Sequence, residues 1–178
     1  SLSETIANIE KIKPDLIIAI GGGSVIDGAK MVRTYYEFPF FDVNDTRFSM
    51  LNWKTNFVAI PTTIGSGAEI SSASVMYNDS NKSKEFVISH KFIPEIIILE
   101  ASLIANAPKK MLLSSMVDAL SHCIEGYMSN INNMLIDSYA EKAIQIISKY
   151  YEVVSKGIDK ENLNKLQLAS VFAGMVQN

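Results

Sequence analysis

An aspartate and a histidine four residues apart are the first feature of this sequence that could do chemistry. Asp118 and His122 fall in a stretch, 108–128, whose pattern predicts a helix, so the two side chains should lie one above the other. They can offer one oxygen and one nitrogen to the same cation, which suits a transition metal better than Ca²⁺ or Mg²⁺. A solvated Asp–His pair without a ligand is the alternative. Two ligands are also fewer than the three that a catalytic site normally supplies.

Two glycine-rich turns are the second such feature. Six of the nine glycines lie in residues 21–28 and 65–67, and each stretch directly follows an apolar run. Glycine lets the backbone approach a phosphate, and the N–H groups that open the next helix point at it. The Gly21-Gly22-Gly23-Ser24 turn therefore predicts a pyrophosphate cradle. A tight turn without a ligand is the alternative, since the GxGxxG spacing is absent.

Polar side chains accompany both turns. The hydroxyls around the second turn belong to Thr62, Thr63, Ser66 and Ser71. They suit the phosphate, ribose or amide of a cofactor, although an ordinary Ser/Thr-rich turn would look the same. Asp27 would repel a phosphate, so we expect it to face a hydroxyl or a backbone amide, or to complement the helix dipole. Two such turns at neighbouring strand ends favour nucleotide binding.

The periodicity of the apolar residues predicts the elements that position these groups. Helices are predicted over 2–13, 25–36, 108–128, 132–155 and 161–175, and strands over 16–20, 57–60, 74–77, 85–88 and 95–99. The runs 16–20 and 57–60 are typical of strands buried on both faces of a parallel sheet. Residues 38–53 read as a loop. We expect a partial α/β nucleotide-binding domain over 1–107, followed by the start of an all-α helical domain over 108–178.

Within the predicted helix 108–128, one apolar stripe should pack against the rest of the protein. Its members are Leu113, Met116, Val117, Leu120, Ile124 and Tyr127. Asp118 and His122 fall on the opposite side of the helix at about 100° per residue. Asn106 is a possible cap of this helix. His90 is interpreted as a surface or structural residue, and Cys123 as a small buried one.

Composition excludes several classes of protein. Of the 178 residues, 16 are Lys or Arg and 19 are Asp or Glu, and the net charge of −3 offers no electrostatic footprint for nucleic acid or for an anionic membrane. No apolar run approaches the roughly 18 residues of a membrane-spanning helix. The single cysteine excludes a disulfide within the chain and suits a reducing compartment, so we expect a cytoplasmic location.

Taken in order, these motifs resemble the iron-containing (group III) alcohol dehydrogenase family. The matching segments are GGGSVIDGAK (21–30), PTTIGSGAE (61–69), KEFVISHKFIP (84–94) and VDALSHCIEGY (117–127). The family patterns are GGGSxxDxAK, PTTxGTGSE and DAxxHxxE. The resemblance implies an α/β domain followed by a helical domain, with NAD or NADP and a metal, Fe²⁺ or alternatively Zn²⁺, between them. It also implies interconversion of an alcohol and an aldehyde or ketone by hydride transfer.

The resemblance also implies roles for individual residues. Pyrophosphate would be held by Gly22, Gly23 and Ser24, and further cofactor contacts would come from Asp27, Thr62, Thr63, Ser71 and Lys84. Asp118 and His122 would be the first two metal ligands and would act in catalysis through the metal. Two further histidine ligands are expected beyond residue 178. Departures from the family patterns are Ser66, Ala68, Ser71 and the Glu100-Ala101 pair.

Two other functions are compatible with the sequence. One is a zinc-dependent enzyme of the same superfamily, similar to glycerol dehydrogenase or dehydroquinate synthase. The other is a non-catalytic remnant that binds nucleotide or assembles with other subunits. The chain reads as the central part of a longer protein, so we expect it to expose apolar surface and to be inactive alone. A small alcohol or aldehyde substrate and a homo-oligomer are the partners that we expect.

Overall fold

Five α-helices and five strands make up the residues that the computed structural model describes, namely 2–42, 52–78, 82–131, 133–157 and 159–178. The strands are β1 Leu16–Gly21, β2 Asn56–Pro61, β3 Ala73–Asn78, β4 Ser83–Ile88 and β5 Ile96–Ile97. The helices are α1 Leu2–Ile12, α2 Gly23–Glu37, α3 Lys109–Tyr127, α4 Met134–Lys156 and α5 Lys160–Gln177. Short 3-10 turns span His90–Phe92 and Ala101–Leu103. Of the predicted loop 38–53, residues 43–51 lie outside the described ranges.

A parallel sheet carries both glycine turns at one edge. Its strand order is β1-β2-β5, and β1 pairs with β2 so that Gly21 lies opposite Pro61. The Thr62 N–H continues this ladder by donating to the Gly21 carbonyl at 2.9 Å. Because both strands end at the same level, the residues that follow them emerge side by side. The predicted hairpin is confirmed as β3 and β4, which pair antiparallel.

The prediction that β1 is buried on both faces is wrong. Ala19 is buried under α2, but Ile18 and Ile20 on the other face are 53% and 57% exposed. Within the described sheet β1 is an edge strand, and an apolar run alone does not reveal that position. β2 lies at the centre of the sheet, and Phe57 and Ala59 are fully buried as predicted. The strand predicted over 95–99 shortens to Ile96–Ile97.

Three helices pack into an apolar core after the sheet. The residues of α3 in this core are Leu112, Met116, Ala119 and Cys123, and they meet Ala140, Ala143 and Ile147 of α4 and Leu163, Leu166, Ala169 and Ala173 of α5. The many small residues let the helix axes approach closely. Side chains cap the later helices: Asn133 accepts from the Leu135 and Ile136 N–H groups, and Asp159 accepts from the Asn162 N–H. No helix in the described ranges is both long enough and apolar enough to cross a membrane.

The apolar stripe predicted for α3 coincides with the buried face only in part. Met116 is fully buried and Leu113 and Leu120 are partly buried against the core, as predicted. Val117, Ile124 and Tyr127 are between 45% and 51% exposed, so the prediction is wrong for them. Leu112, Ala119 and Cys123, which the stripe leaves out, are buried beside Met116. The proposed cap at Asn106 is also wrong, since Pro108 is the N-cap and no side chain caps this helix.

Candidate functional site

The two glycine turns touch each other at the edge of the sheet. A Cβ atom at Gly22 would lie 3.0 Å from the Thr63 Cγ2 atom, and one at Gly23 would lie 2.8 Å from the Ser66 Oγ atom. Both distances are shorter than ordinary van der Waals contacts, so a larger residue at either glycine would require the Thr63 or Ser66 side chain to shift. The structure therefore brings together the two motifs that the sequence places forty residues apart.

Helix α2 begins directly at the first turn. Gly22 is its N-cap and contributes no side chain, and its carbonyl accepts from the Val25 and Ile26 N–H groups at 3.0 and 3.1 Å. The N–H groups of the first helical residues point away from the helix toward the strand ends, and Ser24 is exposed beside them. This arrangement suits an anion because no side chain occupies the helix terminus.

Asp27 faces the protein rather than the turn. Its Oδ2 atom accepts from the Val75 N–H at 3.0 Å, which confirms the backbone-amide partner predicted from the sequence. Its Oδ1 atom accepts from Lys30 Nζ at 3.0 Å, and its carbonyl accepts from Ser74 Oγ at 3.0 Å. Both carboxylate oxygens thus have partners within the chain. A direct contact between Asp27 and a cofactor stays a prediction.

The remaining candidate cofactor residues lie at different depths. Thr62 and Thr63 are half-buried just after β2, where they border the first turn. The Ser71 Oγ atom accepts from the Ala73 N–H at 3.0 Å, so this hydroxyl already stabilises the backbone at the start of β3. Lys84 is exposed on β4, opposite Tyr77 of β3. The threonines are therefore closest to the glycine turns, and Lys84 belongs to the hairpin.

The Asp118–His122 pair lies on α3 beside the second glycine turn. His122 Nε2 is 3.8 Å from Asp118 Oδ1, and the side chains are 14% and 51% exposed, respectively. The other ring nitrogen, His122 Nδ1, is buried and has no hydrogen-bond partner among the described residues. A Cβ atom at Gly65 would lie 2.9 Å from Asp118 Oδ2. The pair is thus in direct reach of the loop that also borders the first turn.

These residues fit a divalent cation as part of its ligand set. Asp118 Oδ1 and His122 Nε2 are 3.8 Å apart, which is too long for a hydrogen bond. Among the described residues no group of three or more His, Cys, Asp or Glu side chains could hold a metal. Asp118 and His122 stay predicted metal ligands.

His90 and Cys123 lie where the sequence predicts them. His90 is exposed in the 3-10 turn His90–Phe92, on the side of the hairpin. Cys123 is fully buried in the helical core, and burial raises the pKa of its thiol to about 11. A thiol with so high a pKa is almost wholly protonated near neutral pH and is a poor nucleophile.

Helix α5 supports the second turn from the other side, a contact that the sequence did not indicate. Gly67, with φ of +61°, packs against Gly174. A Cβ atom at Gly67 would lie 2.6 Å from the Gly174 Cα atom. The Asn178 side chain accepts from the Ser72 N–H at 2.7 Å and donates to the Ile70 carbonyl at 3.1 Å. The turn is thereby held between α2 and α5.

Comparison with known proteins adds independent findings. Residues 1–101 match the sequence profile described as Iron-containing alcohol dehydrogenase, and residues 112–178 match the one described as Fe-containing alcohol dehydrogenase family, C-terminal. The alcohol dehydrogenase of Thermococcus barophilus is 34% identical over 175 residues, which is 94% of this chain and 46% of that protein.

Two solved structures have the same fold. The iron-containing alcohol dehydrogenase from Thermococcus thioreducens has a TM-score of 0.89 and 31% identity, covering 98% of this chain and 48% of that one. The sulfoacetaldehyde reductase from Bifidobacterium kashiwanohense, solved in complex with NAD+, has a TM-score of 0.88 and 29% identity, covering 98% of this chain and 47% of that one. The chain spans less than half the length of the curated relatives that it matches.

Proposed function

The chain belongs to the iron-containing alcohol dehydrogenase family, and from this premise we propose that it forms part of a metal-dependent, NAD(P)-linked oxidoreductase that interconverts an alcohol with an aldehyde or ketone. One observation carries the proposal. The segment 61–69 touches the first glycine turn through Thr63 and approaches Asp118 through Gly65. A dinucleotide on the turns and a cation on α3 would therefore be neighbours.

The residues of the chain have separate tasks in this proposal. Gly22, Gly23 and Ser24 bind the pyrophosphate through backbone N–H groups at the start of α2. Thr62 and Thr63 line the cofactor where the two turns meet. Asp118 and His122 hold the cation, and the neutral imidazole is the form that donates its lone pair. When bound, the cation polarises the substrate oxygen and the nicotinamide exchanges hydride.

Close packing anchors the loop that lies between the two turns and α3. Ile64, which precedes Gly65, is buried in the helical core, and Gly65 presses against the backbone of α3. The loop between the cofactor and the cation is thereby anchored on both sides. Such a fixed loop holds the two reactants at a constant separation, and this orientation contributes to the rate. Ser71, Asp27 and Lys84 are proposed as further cofactor contacts or as supports of the loop.

We also propose a domain boundary, an oligomeric assembly, a location and a metal. The break between the two family profiles, from 101 to 112, supports a domain boundary near residue 107. Exposed apolar side chains such as Ile20, Phe86 and Ile131 support a homo-oligomer or further packing partners. The presence of a single cysteine, which is buried, supports a cytoplasmic location. The family supports Fe²⁺, with Zn²⁺ as the alternative.

Metal analysis combined with a cofactor assay tests the proposal. The full-length gene product is purified without oxygen, its metal content is measured by mass spectrometry, and oxidation of NADH and of NADPH is followed with a panel of small aldehydes. We expect bound iron and turnover with one of the two cofactors. Bound zinc with the same turnover would show that the metal is zinc and not iron. Protein with neither metal nor turnover would contradict the proposal.

A further inference from the structure

A fully buried lysine lies between the helix that follows the first glycine turn and the segment that follows the second. Lys30 on α2 has no exposed surface, and burial lowers the pKa of its ammonium even though Asp27 and Glu69 oppose the shift. Glu69, the last residue of the second motif, is also buried, and burial raises the pKa of its carboxyl. Burying a charged ammonium is unfavourable unless hydrogen bonds and a counter-ion compensate.

The three hydrogen bonds of this lysine connect the two motifs. Lys30 Nζ donates to Asp27 Oδ1 at 3.0 Å, to the Ser71 carbonyl at 3.1 Å and to the Ala73 carbonyl at 2.6 Å. Asp27 lies one turn earlier on α2, the helix that opens at the first glycine turn. Ser71 and Ala73 lie just after the second turn. The ammonium thus joins the helix of one turn to the exit of the other.

The bonds of Asp27 extend the connection to the same segment. Its carboxylate accepts from the Val75 N–H, and its carbonyl accepts from the Ser74 hydroxyl. Four hydrogen bonds of Lys30 and Asp27 therefore connect α2 to residues 71–75. The contacts of Gly22 with Thr63 and of Gly23 with Ser66 lie at the other end of the same two segments.

We propose that Lys30 is a positioning residue that holds the two glycine turns at the separation required by the dinucleotide. This inference rests on the proposed function, because it assigns the affinity for NADH or NADPH to that separation. Loss of the ammonium would leave two carbonyls without their buried donor and Asp27 without its counter-ion. The segment after the second turn would then move relative to α2, and the cradle would no longer match the cofactor.

Arg33 provides a matched control on the same helix. It is also a buried cation, 3% exposed, but it donates to the Lys91 carbonyl at 3.2 Å and to Glu95 at 2.8 Å. Its guanidinium carbon lies 4.9 Å from the centre of the Trp53 ring. None of these partners belongs to either glycine turn. Removing Arg33 therefore tests the effect of a buried cation on stability without changing the separation of the turns.

Dinucleotide binding by Lys30→Met and Arg33→Met in the full-length protein tests the proposal. The Kd of NADH and NADPH is measured by fluorescence, together with the melting temperature and the separate KM and kcat values. We expect both variants to melt at lower temperature. Lys30→Met should raise the cofactor Kd and KM about tenfold or more, with kcat at saturating cofactor changed by less than about threefold, whereas Arg33→Met should leave the Kd within about twofold of the original.

A milder variant covers the case in which Lys30→Met does not fold. Ser74→Ala removes the hydroxyl that donates to the Asp27 carbonyl, and it should raise the cofactor Kd about threefold. Unchanged affinity in the folded Lys30→Met protein, or in Ser74→Ala if the first does not fold, would overturn the positioning role. An equal loss of affinity in Arg33→Met would also overturn it. Original protein that binds neither cofactor would instead overturn the proposed function, and the inference with it.

Discussion

The two glycine turns and the Asp118–His122 pair are held in place by different kinds of contact. In the turns, the backbone at Gly22 and Gly23 packs against side chains of the second turn, and the buried Lys30 ammonium connects α2 to the segment after that turn. In the pair, both donors come from one helix, and the Asp118 side chain is about half exposed. The turns are fixed from several directions, whereas the pair is fixed from one.

This difference determines how much of the binding free energy each site must use to order its own residues. A cradle that is already shaped needs little reorganisation, so most of the attraction to a dinucleotide appears as affinity. The carboxylate of Asp118 must be ordered when a cation binds, and this ordering subtracts from the affinity. His122 is better placed, because its ring is mostly buried. We therefore expect the metal site to be sensitive to loss of a donor and the cradle to be sensitive to added volume.

Removing a donor should produce the largest effect. His122→Ala deletes one of the two ligands that this chain would supply. The metal affinity should fall at least about 100-fold, which is the upper value for loss of a group that only hydrogen-bonds to a metal ligand. Activity should fall with the metal. The cofactor Kd should change less than about twofold, because the first glycine turn packs against Thr63 and Ser66 rather than against α3. Metal content, turnover and NADH fluorescence measure the three quantities on the full-length protein.

His90→Ala is the control for the loss of an imidazole. His90 is exposed in the 3-10 turn that follows β4. This variant should keep both its metal and its activity. If His122→Ala retained its metal while His90→Ala lost it, the ligand assignment would be wrong. If His122→Ala also weakened cofactor binding by an order of magnitude, the two regions would not be independent.

Adding volume at the contact between the two regions should have an intermediate effect on both. A Cβ atom in Gly65→Ala would lie 2.7 Å from the Ser115 carbonyl oxygen and 2.9 Å from Asp118 Oδ2. Overpacking of this kind costs about 1–3 kcal/mol, and here it must displace either the loop or the helix backbone. We expect metal and cofactor affinities each to fall about tenfold. Titration of both ligands measures the two losses.

Gly28→Ala is the matched control for the added methyl group. Nothing lies within 4 Å of a Cβ atom at Gly28, which is inside α2. Alanine is favoured over glycine in a helix interior by about 1 kcal/mol, so this variant should be slightly more stable with unchanged affinities. Equal affinities in Gly65→Ala and Gly28→Ala would mean that the loop adapts easily and that the contact does not couple the two regions.

Local patterns were sufficient to predict the order and type of the elements. The strand–glycine–helix sequence at 16–36 and the three late helices depend on short-range periodicity, and all are confirmed. The exposed face of β1 and the buried face of α3 depend on what packs against them. Helix α3 is apolar on more than one side, so spacing could not distinguish Val117, which is exposed, from Met116, which is buried.

The candidate site was predictable where a motif is contiguous in sequence. The two turns and the Asp118–His122 pair were found because each lies within ten residues. Lys30 stands at the last position of the GGGSxxDxAK pattern, but its role could not be predicted, because lysines on helices are usually solvated and its carbonyl partners, Ser71 and Ala73, are more than forty residues away. Asn178 was missed because its partners, Ile70 and Ser72, are more than a hundred residues away.

A surface ion pair between the two parts of the chain should have the smallest effect. Glu100, just before the 3-10 turn Ala101–Leu103, lies 2.8 Å from Lys160 at the start of α5. Hydrogen bonds from Lys160 and Ser102 lower the pKa of Glu100 to about 2 from its ordinary 4.5. Because the folded pKa is the lower one, this contribution to stability is complete above pH 4.5 and is lost as the pH falls toward 2.

Lys160→Met should remove most of this shift. The pKa of Glu100, followed by NMR titration of its carboxyl carbon, should rise from about 2 toward 4.5, and the melting temperature at neutral pH should hardly change because the pair is exposed and screened. Lys165→Met is the control, since Lys165 pairs with Glu161 inside α5 and should leave Glu100 unaffected. A Glu100 pKa unchanged in Lys160→Met would show that Ser102 alone holds it low. A large drop in melting temperature would instead show that this exposed pair, like the buried Lys30, makes a large contribution to the stability of the fold.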